Sequence, residues 1–188
     1  MALPRAEVGN RADATVRMER LRRMFKDDYR LVWRVVRRIG LPVEAANDAA
    51  QQVFMIAAER LDDIRLGSER AFLFGTALRV ARSIRRKLGR EIPSGAGYHI
   101  PSPSPRPDEL TDQKRARQLL DAALGELPLE LRMVFVLFEL EGMTTPEISE
   151  TVGIPLGTAA SRLRRARKAF REQVLALTGA KATVRGTP

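Results

Sequence analysis

A stretch rich in proline, glycine and serine near the middle of the chain constrains the fold more than any other feature. Residues 92–107 contain five prolines and two glycines. Proline lacks a backbone N–H and restricts the residue before it, so such a stretch supports neither a helix nor a sheet. We predict a flexible linker over residues 91–111, which could reach roughly 70 Å at ~3.3 Å per residue.

The linker divides the chain into two parts, each with apolar residues at helical spacing. Residues 16–90 are predicted to form one domain of three helices, and residues 112–178 a second helical domain. No segment has the alternation of a β-strand. We therefore predict an all-α fold of two small helical domains, with disordered tails at residues 1–15 and 179–188, which lack a periodic apolar pattern.

Composition excludes several classes of site. The chain has no cysteine and a single histidine, His99, which excludes thiolate zinc sites, cysteine nucleophiles and histidine clusters. No nucleophile–base set or phosphate loop is present, so we expect no enzyme activity, no cofactor and no metal. No apolar run approaches the roughly 20 residues of a membrane span, and the N-terminus lacks the pattern of a signal peptide. We expect a cytoplasmic protein without membrane insertion.

The net charge of +10 favours a polyanionic partner such as nucleic acid, although simple solubility would also explain it.

Thr144 and Glu147 have the spacing of a capping box, Pro146 falls in the first helical turn, and Gly153 marks the end of that helix. A second, longer helix follows from residue 158. Two helices joined by a tight turn are typical of the helix-turn-helix motif.

The longer helix carries basic residues and no acid between positions 158 and 168. Its N-terminal half is the part that would meet base edges in a major groove. We predict that it binds DNA, with a solvated basic surface as the alternative, and that its short side chains and first arginines face outward. The predicted DNA-binding residues are Thr158, Ser161, Arg162, Arg165 and Lys168.

Two further helices are unusual. Residues 71–90 contain no acid, and Arg79, Arg82, Arg86 and Arg90 step along one helix face. Residues 129–141 are apolar around most of the helix, which indicates burial on more than one side. This second helix is either a central core helix or a surface that awaits a partner.

Taken in order, these features resemble the sigma-70 family of RNA polymerase sigma factors, in its extracytoplasmic-function group. Residues 46–54 (ANDAAQQVF) are similar to an acidic stretch of the family's region 2, and Phe72-Leu73-Phe74 with the basic helix is similar to a later part of that region. Residues 142–167 resemble region 4. The region 4 pattern occurs in other helix-turn-helix regulators, so the order of both regions makes the resemblance specific.

The resemblance implies core RNA polymerase and promoter DNA as partners, with an anti-sigma factor as a further one. Residues 158–168 would read the −35 element, and the apolar surface of residues 129–140 would dock on the flap of the β subunit. The remaining implied sites are a polymerase-binding face that contacts the β′ clamp helices (Asp48, Gln51, Gln52) and a −10 and melting surface (Arg79, Arg82, Ser83, Arg86, Arg90).

The chain departs from the family pattern at four positions. Arg79 replaces a common Asn, Ser83 a frequent Asp, Phe72 a usual Trp, and Gln52 a common Glu. These departures bear on base preference at the −10 element. A helix-turn-helix regulator without sigma activity is the alternative function, and an adaptor that captures an anti-sigma factor is a third.

Overall fold

The computed structural model describes residues 5–91 and 112–179, and within them every regular element is helical. This confirms the all-α fold class. The first part of the chain comprises α1 (Arg5–Arg38), α2 (Val43–Glu59), a 3-10 turn (Leu61–Asp63) and α3 (Glu69–Glu91). The second part comprises α4 (Asp112–Gly125), α5 (Leu129–Phe135) continued by a π-helical segment (Val136–Leu140), α6 (Thr145–Val152) and α7 (Leu156–Leu177).

The helix boundaries follow local backbone chemistry. α1 and α2 are separated by Gly40, whose φ of 107° lies in the left-handed region that favours glycine, and Pro42 immediately precedes α2. α1 begins at Arg5, so helix covers most of the N-terminal segment for which a disordered tail was predicted. Residues 92–111, which include almost all of the predicted linker, lie outside the described residues, as do residues 180–188.

The apolar helix of the second part forms its core. The buried side chains of this helix include Leu131, Met133, Val134, Phe135, Val136 and Leu137. Phe135 also stacks on Phe170 of α7, with ring centroids 4.5 Å apart. The sequence left two interpretations open, and the central core helix is the one observed. Of the apolar side chains at the end of this helix, only Phe138 and Leu140 remain partly accessible.

The two parts of the chain pack on each other, and their buried residues form one continuous cluster. α3 of the first part lies against α6 of the second. At this crossing a Cβ added to Gly75 would lie 3.3 Å from the carbonyl oxygen of Thr151, so the close approach of the backbones depends on glycine. The basic face of α3 is therefore partly enclosed by the second part.

Candidate nucleic-acid interface

The helix-turn-helix unit is built as the sequence predicts. The Thr144 hydroxyl accepts a hydrogen bond from the Glu147 backbone N–H at 3.5 Å, and the Glu147 carboxylate accepts one from the Thr144 N–H at 2.7 Å. Hydrogen bonds from the Thr144 backbone and then from its hydroxyl lower the pKa of Glu147. α6 ends at Gly153, whose φ is 71°, and α7 begins three residues later. This prediction is confirmed.

α7 presents its predicted DNA-binding residues in different ways. Ala159, Leu163 and Ala166 face the core, which turns the intervening positions toward solvent. Arg165 is exposed, and Lys168 is 81% exposed with Glu172 4.0 Å away. Thr158 and Ser161 are half-buried, and the Ser161 hydroxyl donates to the Thr158 carbonyl at 3.0 Å.

Arg162 is only partly exposed, because it pairs with an acid of its own half, and its contact with DNA stays a prediction. Its Nη1 lies 2.8 Å from Oε2 of Glu130 at the start of α5, and its side chain is only 25% exposed. The physical reason is that a carboxylate from the same half stands beside the helix and offers a charge-assisted hydrogen bond. Glu130 thus occupies the guanidinium that was expected to meet DNA.

The same carboxylate oxygen also accepts from α3. Nη2 of Arg82 lies 3.3 Å from Oε2 of Glu130, so Glu130 joins one arginine of each basic helix. We call this set of three residues (Arg82, Glu130, Arg162) the Glu130 clasp. The structure therefore brings together two predicted DNA-binding residues that are 80 positions apart, and it does so on an acid rather than on an open surface.

The other predicted residues of α3 are more accessible. Arg79 is exposed, and its Nη2 donates to the Thr76 hydroxyl at 2.9 Å. Arg86 is exposed and Ser83 is half-buried, whereas the Arg90 side chain lies outside the described part of the structure. The exposed part of this basic face is thus formed by the arginines on either side of Arg82.

The single arginine of α5 is buried between the halves, which was not predicted from the sequence. Arg132 is 4% exposed, and its guanidinium donates to the carbonyl of Ile39 at 3.1 Å, to that of Leu127 at 3.0 Å, and to that of Gly125. Burial, followed by the charge of Arg85, lowers the pKa of Arg132 to about 10. Arg132 therefore ties the second half to the end of α1. The signal was present in the sequence, because positions 130 and 132 are charged within an otherwise apolar helix.

Glu141 forms a third connection between the halves. Its carboxylate lies 3.1 Å from Nη1 of Arg38 and its side chain is 1% exposed. Burial raises the pKa of Glu141, and Arg38 opposes that effect. A carboxyl whose pKa is raised by folding contributes stability below its unfolded pKa and loses it as the pH rises through the folded value.

We therefore expect the stability of a Glu141→Gln variant, relative to the unchanged protein, to increase as the pH rises from about 4 to 7. The amide carries no charge to desolvate and can still accept from Arg38. Urea unfolding at several pH values measures the difference, with Glu150→Gln as the same substitution at an exposed position for comparison. A relative stability that falls with rising pH would contradict the assigned direction.

The predicted polymerase-binding face lies on α2, away from the clasp. Asp48, Gln51 and Gln52 are exposed and form no hydrogen bond or ion pair with any residue the structure describes. Met55, one turn further along, is 64% exposed. Residues 5–91 and 112–179 contain no cluster of metal-ligating side chains. No helix among them is both long and apolar enough to cross a membrane.

Comparisons with known proteins agree with this architecture. The family model "Sigma-70, region 4" matches residues 117–170. In structure, the chain is similar to the sigma factor RpoE of Bartonella quintana, solved with the anti-sigma factor NepR (TM-score 0.67, 23% identity, 85% of this chain and 98% of that one). It is also similar to CnrH, solved with the cytosolic domain of CnrY (TM-score 0.60, 21% identity, 87% of this chain and 91% of that one).

Two sequence relatives are ECF RNA polymerase sigma factors by name. The chain is 28% identical over 145 residues to the ECF RNA polymerase sigma factor SigE of Mycolicibacterium smegmatis, and this match covers 75% of the chain and 56% of the relative. It is 30% identical over 138 residues to the ECF RNA polymerase sigma-E factor of Escherichia coli K12, covering 68% of the chain and 72% of the relative. The chain belongs to the extracytoplasmic-function group of the sigma-70 family of RNA polymerase sigma factors.

Proposed function

We propose that this chain directs core RNA polymerase to promoters, with α7 at the −35 element and α3 at the −10 element. The observation that carries the proposal is the presence of two basic helices, one in each half, of which only α7 belongs to the helix-turn-helix. A helix-turn-helix regulator that binds duplex DNA through α7 would not need the basic helix α3. The protein acts by recognition rather than by catalysis, in the cytoplasm, where its polymerase and DNA partners reside.

The exposed face of α2 is the proposed contact with polymerase. Its Asp48, Gln51 and Gln52 are free of internal partners among the described residues, so binding does not require them to break existing contacts. The β′ clamp helices are the proposed partner of this face. On α5 and its continuation, most of the apolar surface is buried, so a contact with the β flap is confined to the vicinity of Phe138 and Leu140. An anti-sigma factor is a further proposed partner.

Engagement of both DNA elements requires a change in the arrangement. Arg82 and Arg162 are held on Glu130, and α3 is packed against α6, so these two arginines are engaged within the protein while the halves are together. The linker segment, with its five prolines, is long enough to let the halves separate. The structure thus corresponds to a closed form, and DNA binding selects an open one.

Replacement of Arg165 by alanine is expected to weaken binding to promoter DNA by about 1–3 kcal/mol, because this exposed arginine lies in the N-terminal half of α7. Fluorescence anisotropy of the polymerase–protein complex on labelled duplexes measures the change. A loss of affinity that depends on the sequence at one base pair identifies a base contact. An equal loss of affinity for all duplex sequences identifies a phosphate contact. Arg171→Ala, near the far end of the same helix, is the control, and equal effects of both variants would contradict the assignment.

Replacement of Asp48 by arginine is expected to reduce binding to core polymerase about tenfold or more, because it puts a like charge on a face proposed to meet a basic partner. The chain remains folded, since Asp48 is exposed. Co-purification with core polymerase measures the loss. Glu19→Arg makes the same change of charge at an exposed position on α1 and is expected to bind normally. Unchanged binding of the Asp48 variant would remove α2 from the proposed interface.

Run-off transcription tests the proposal as a whole. Purified core polymerase and this protein are incubated with a library of upstream DNA fragments from its own genome. Discrete transcripts that depend on the protein, and that share two spaced elements, are expected. Absence of transcripts together with retention of duplex binding would replace the proposal with the alternative, a helix-turn-helix regulator without sigma activity.

A further inference from the structure

A cleft of about 550 Å³ lies between the two halves, on the side where the end of α1 faces α4. Its volume falls in the range of small-molecule sites. Residues from both halves line it, and it does not include the basic faces of α3 or α7. The cleft is therefore separate from the proposed DNA interface. The polar and aromatic residues that line it are Trp33, Arg34, Arg37, Arg38, Arg117 and Asp121.

The lining of the cleft has an excess of positive charge. Four arginines face one aspartate, and three of the arginines come from α1 while Arg117 comes from α4. Among the cleft arginines, Arg38 is paired with Glu141, whose carboxylate also interacts electrostatically with Arg34; outside the cleft, the clasp arginines are paired with Glu130. Neither Arg34 nor Arg117 forms an ion pair with a residue in the described ranges. Like charges held near each other beside protein surface repel, and an anion between them would remove that repulsion.

Helix chemistry explains only part of this cluster. Arg37 and Arg38 lie in the last turn of α1, where cations interact favourably with the helix dipole. That account does not extend to Arg117, which lies in the first half of α4 and projects toward the same cleft from the other side. The convergence of guanidinium groups from two separate helices is what distinguishes the cleft from a solvated basic surface.

Trp33 gives the cleft an ordered aromatic wall. Its indole Nε1 donates to the amide oxygen of Asn47 at 2.8 Å, which fixes the ring relative to α2. Guanidinium groups form bidentate hydrogen bonds with phosphate oxygens, and an indole offers a surface for stacking or for apolar contact. The pairing of these two features suits a compact ligand with several phosphate charges.

We propose that this cleft binds a small polyphosphate anion, either inorganic polyphosphate or the phosphate chain of a nucleotide. Arg34 and Arg37 would hold it from α1 and Arg117 from α4. A ligand bound in this way connects the two halves and stabilises the closed form over the open one. The concentration of such an anion would then set how readily the protein opens for promoter DNA.

Trp33 is the only tryptophan in the chain, so its fluorescence reports directly on the cleft. The full-length protein is titrated with sodium tripolyphosphate and, separately, with ATP, at constant ionic strength. Saturable changes in Trp33 emission are expected, together with one site per chain by isothermal titration calorimetry. If ATP binds more tightly than tripolyphosphate, the ligand is a nucleotide. If the two bind equally, the phosphate chain alone is recognised.

A double variant, Arg34→Ala with Arg117→Ala, is expected to weaken binding about tenfold or more, because each lost guanidinium removes charge-assisted hydrogen bonds. The matched control is Arg22→Ala with Arg23→Ala, which removes the same charge from exposed positions on α1 outside the cleft. Retained affinity in the cleft variant would overturn the proposal, as would equal losses in both variants or absence of saturable binding. None of these outcomes depends on polymerase or on promoter DNA.

Discussion

Replacement of Arg132 by alanine is expected to lower the free energy of unfolding by about 3 kcal/mol, a large part of the stability of a small protein. Arg132 is buried, and its guanidinium satisfies the carbonyl groups of Gly125, Leu127 and Ile39. Its removal takes the donor away from the carbonyl groups of Gly125 and Leu127, while that of Ile39 keeps Arg85, and it opens a cavity between the halves. Urea unfolding followed by circular dichroism measures the change.

A second substitution separates hydrogen bonding from packing. Arg132→Met preserves most of the side-chain volume but donates no hydrogen bond, so it is expected to lower the free energy of unfolding by about 2 kcal/mol. The exposed Arg115→Ala, within the same half, is expected to change stability by less than about 0.5 kcal/mol. If the methionine variant is as stable as the unchanged protein, the hydrogen bonds of Arg132 do not stabilise the contact between the halves, and Arg132 contributes through packing alone.

Replacement of Glu130 by glutamine is expected to strengthen binding of the free protein to promoter duplexes about tenfold. Both ion pairs of the Glu130 clasp are partly exposed, with the arginine side chains 30% and 25% accessible. Only the Arg82 pair crosses between the halves, and it contributes about 0.5–1 kcal/mol to the closed form. Its loss favours opening, and the loss of both pairs releases Arg82 and Arg162 for phosphate or base contacts. Fluorescence anisotropy with a duplex that carries both promoter elements measures the gain.

The control for this substitution is Glu139→Gln. The Glu139 carboxylate lies 2.6 Å from the Arg167 guanidinium, which belongs to the same half. Replacement of Glu139 therefore changes the net charge as much as that of Glu130 does, without breaking a contact between the halves. Only the modest, non-specific gain that follows from one fewer negative charge is expected. Equal gains in the two variants would mean that the clasp does not restrain the closed form.

Features that depend on near neighbours in the chain were predictable from sequence. The capping box of α6 needs only Thr144 and Glu147 at the correct spacing, and the end of that helix needs only Gly153, so local chemistry decides both. The burial of the apolar helix was one of two interpretations, because its pattern does not say whether the covering surface is internal or belongs to a partner. The contact with Phe170, among others, resolves it.

Features that depend on distant residues were not predictable. The outward position of Arg162 was inferred from helix periodicity, which places residues on a face but does not reveal the acid that stands beside it. Glu130 is 32 positions from Arg162 and 48 from Arg82. Similarly, the charge at position 132 within an apolar helix marks Arg132 as unusual, but nothing near it along the chain indicates its partner, the carbonyl of Ile39, 93 positions away.

Under the proposed function, the contact between the two halves distinguishes complete promoters from isolated sequence matches. Since Arg82–Glu130, Arg38–Glu141 and the crossing of α3 with α6 all hold the same two halves together, separating the halves is a single event with a single free-energy cost. A DNA site with only one element must offset that entire cost with half of the contacts, whereas a site with both elements offsets the same cost with all of them. Under the proposed function, solitary matches to one element, which are far commoner in a genome than correctly spaced pairs, are bound weakly.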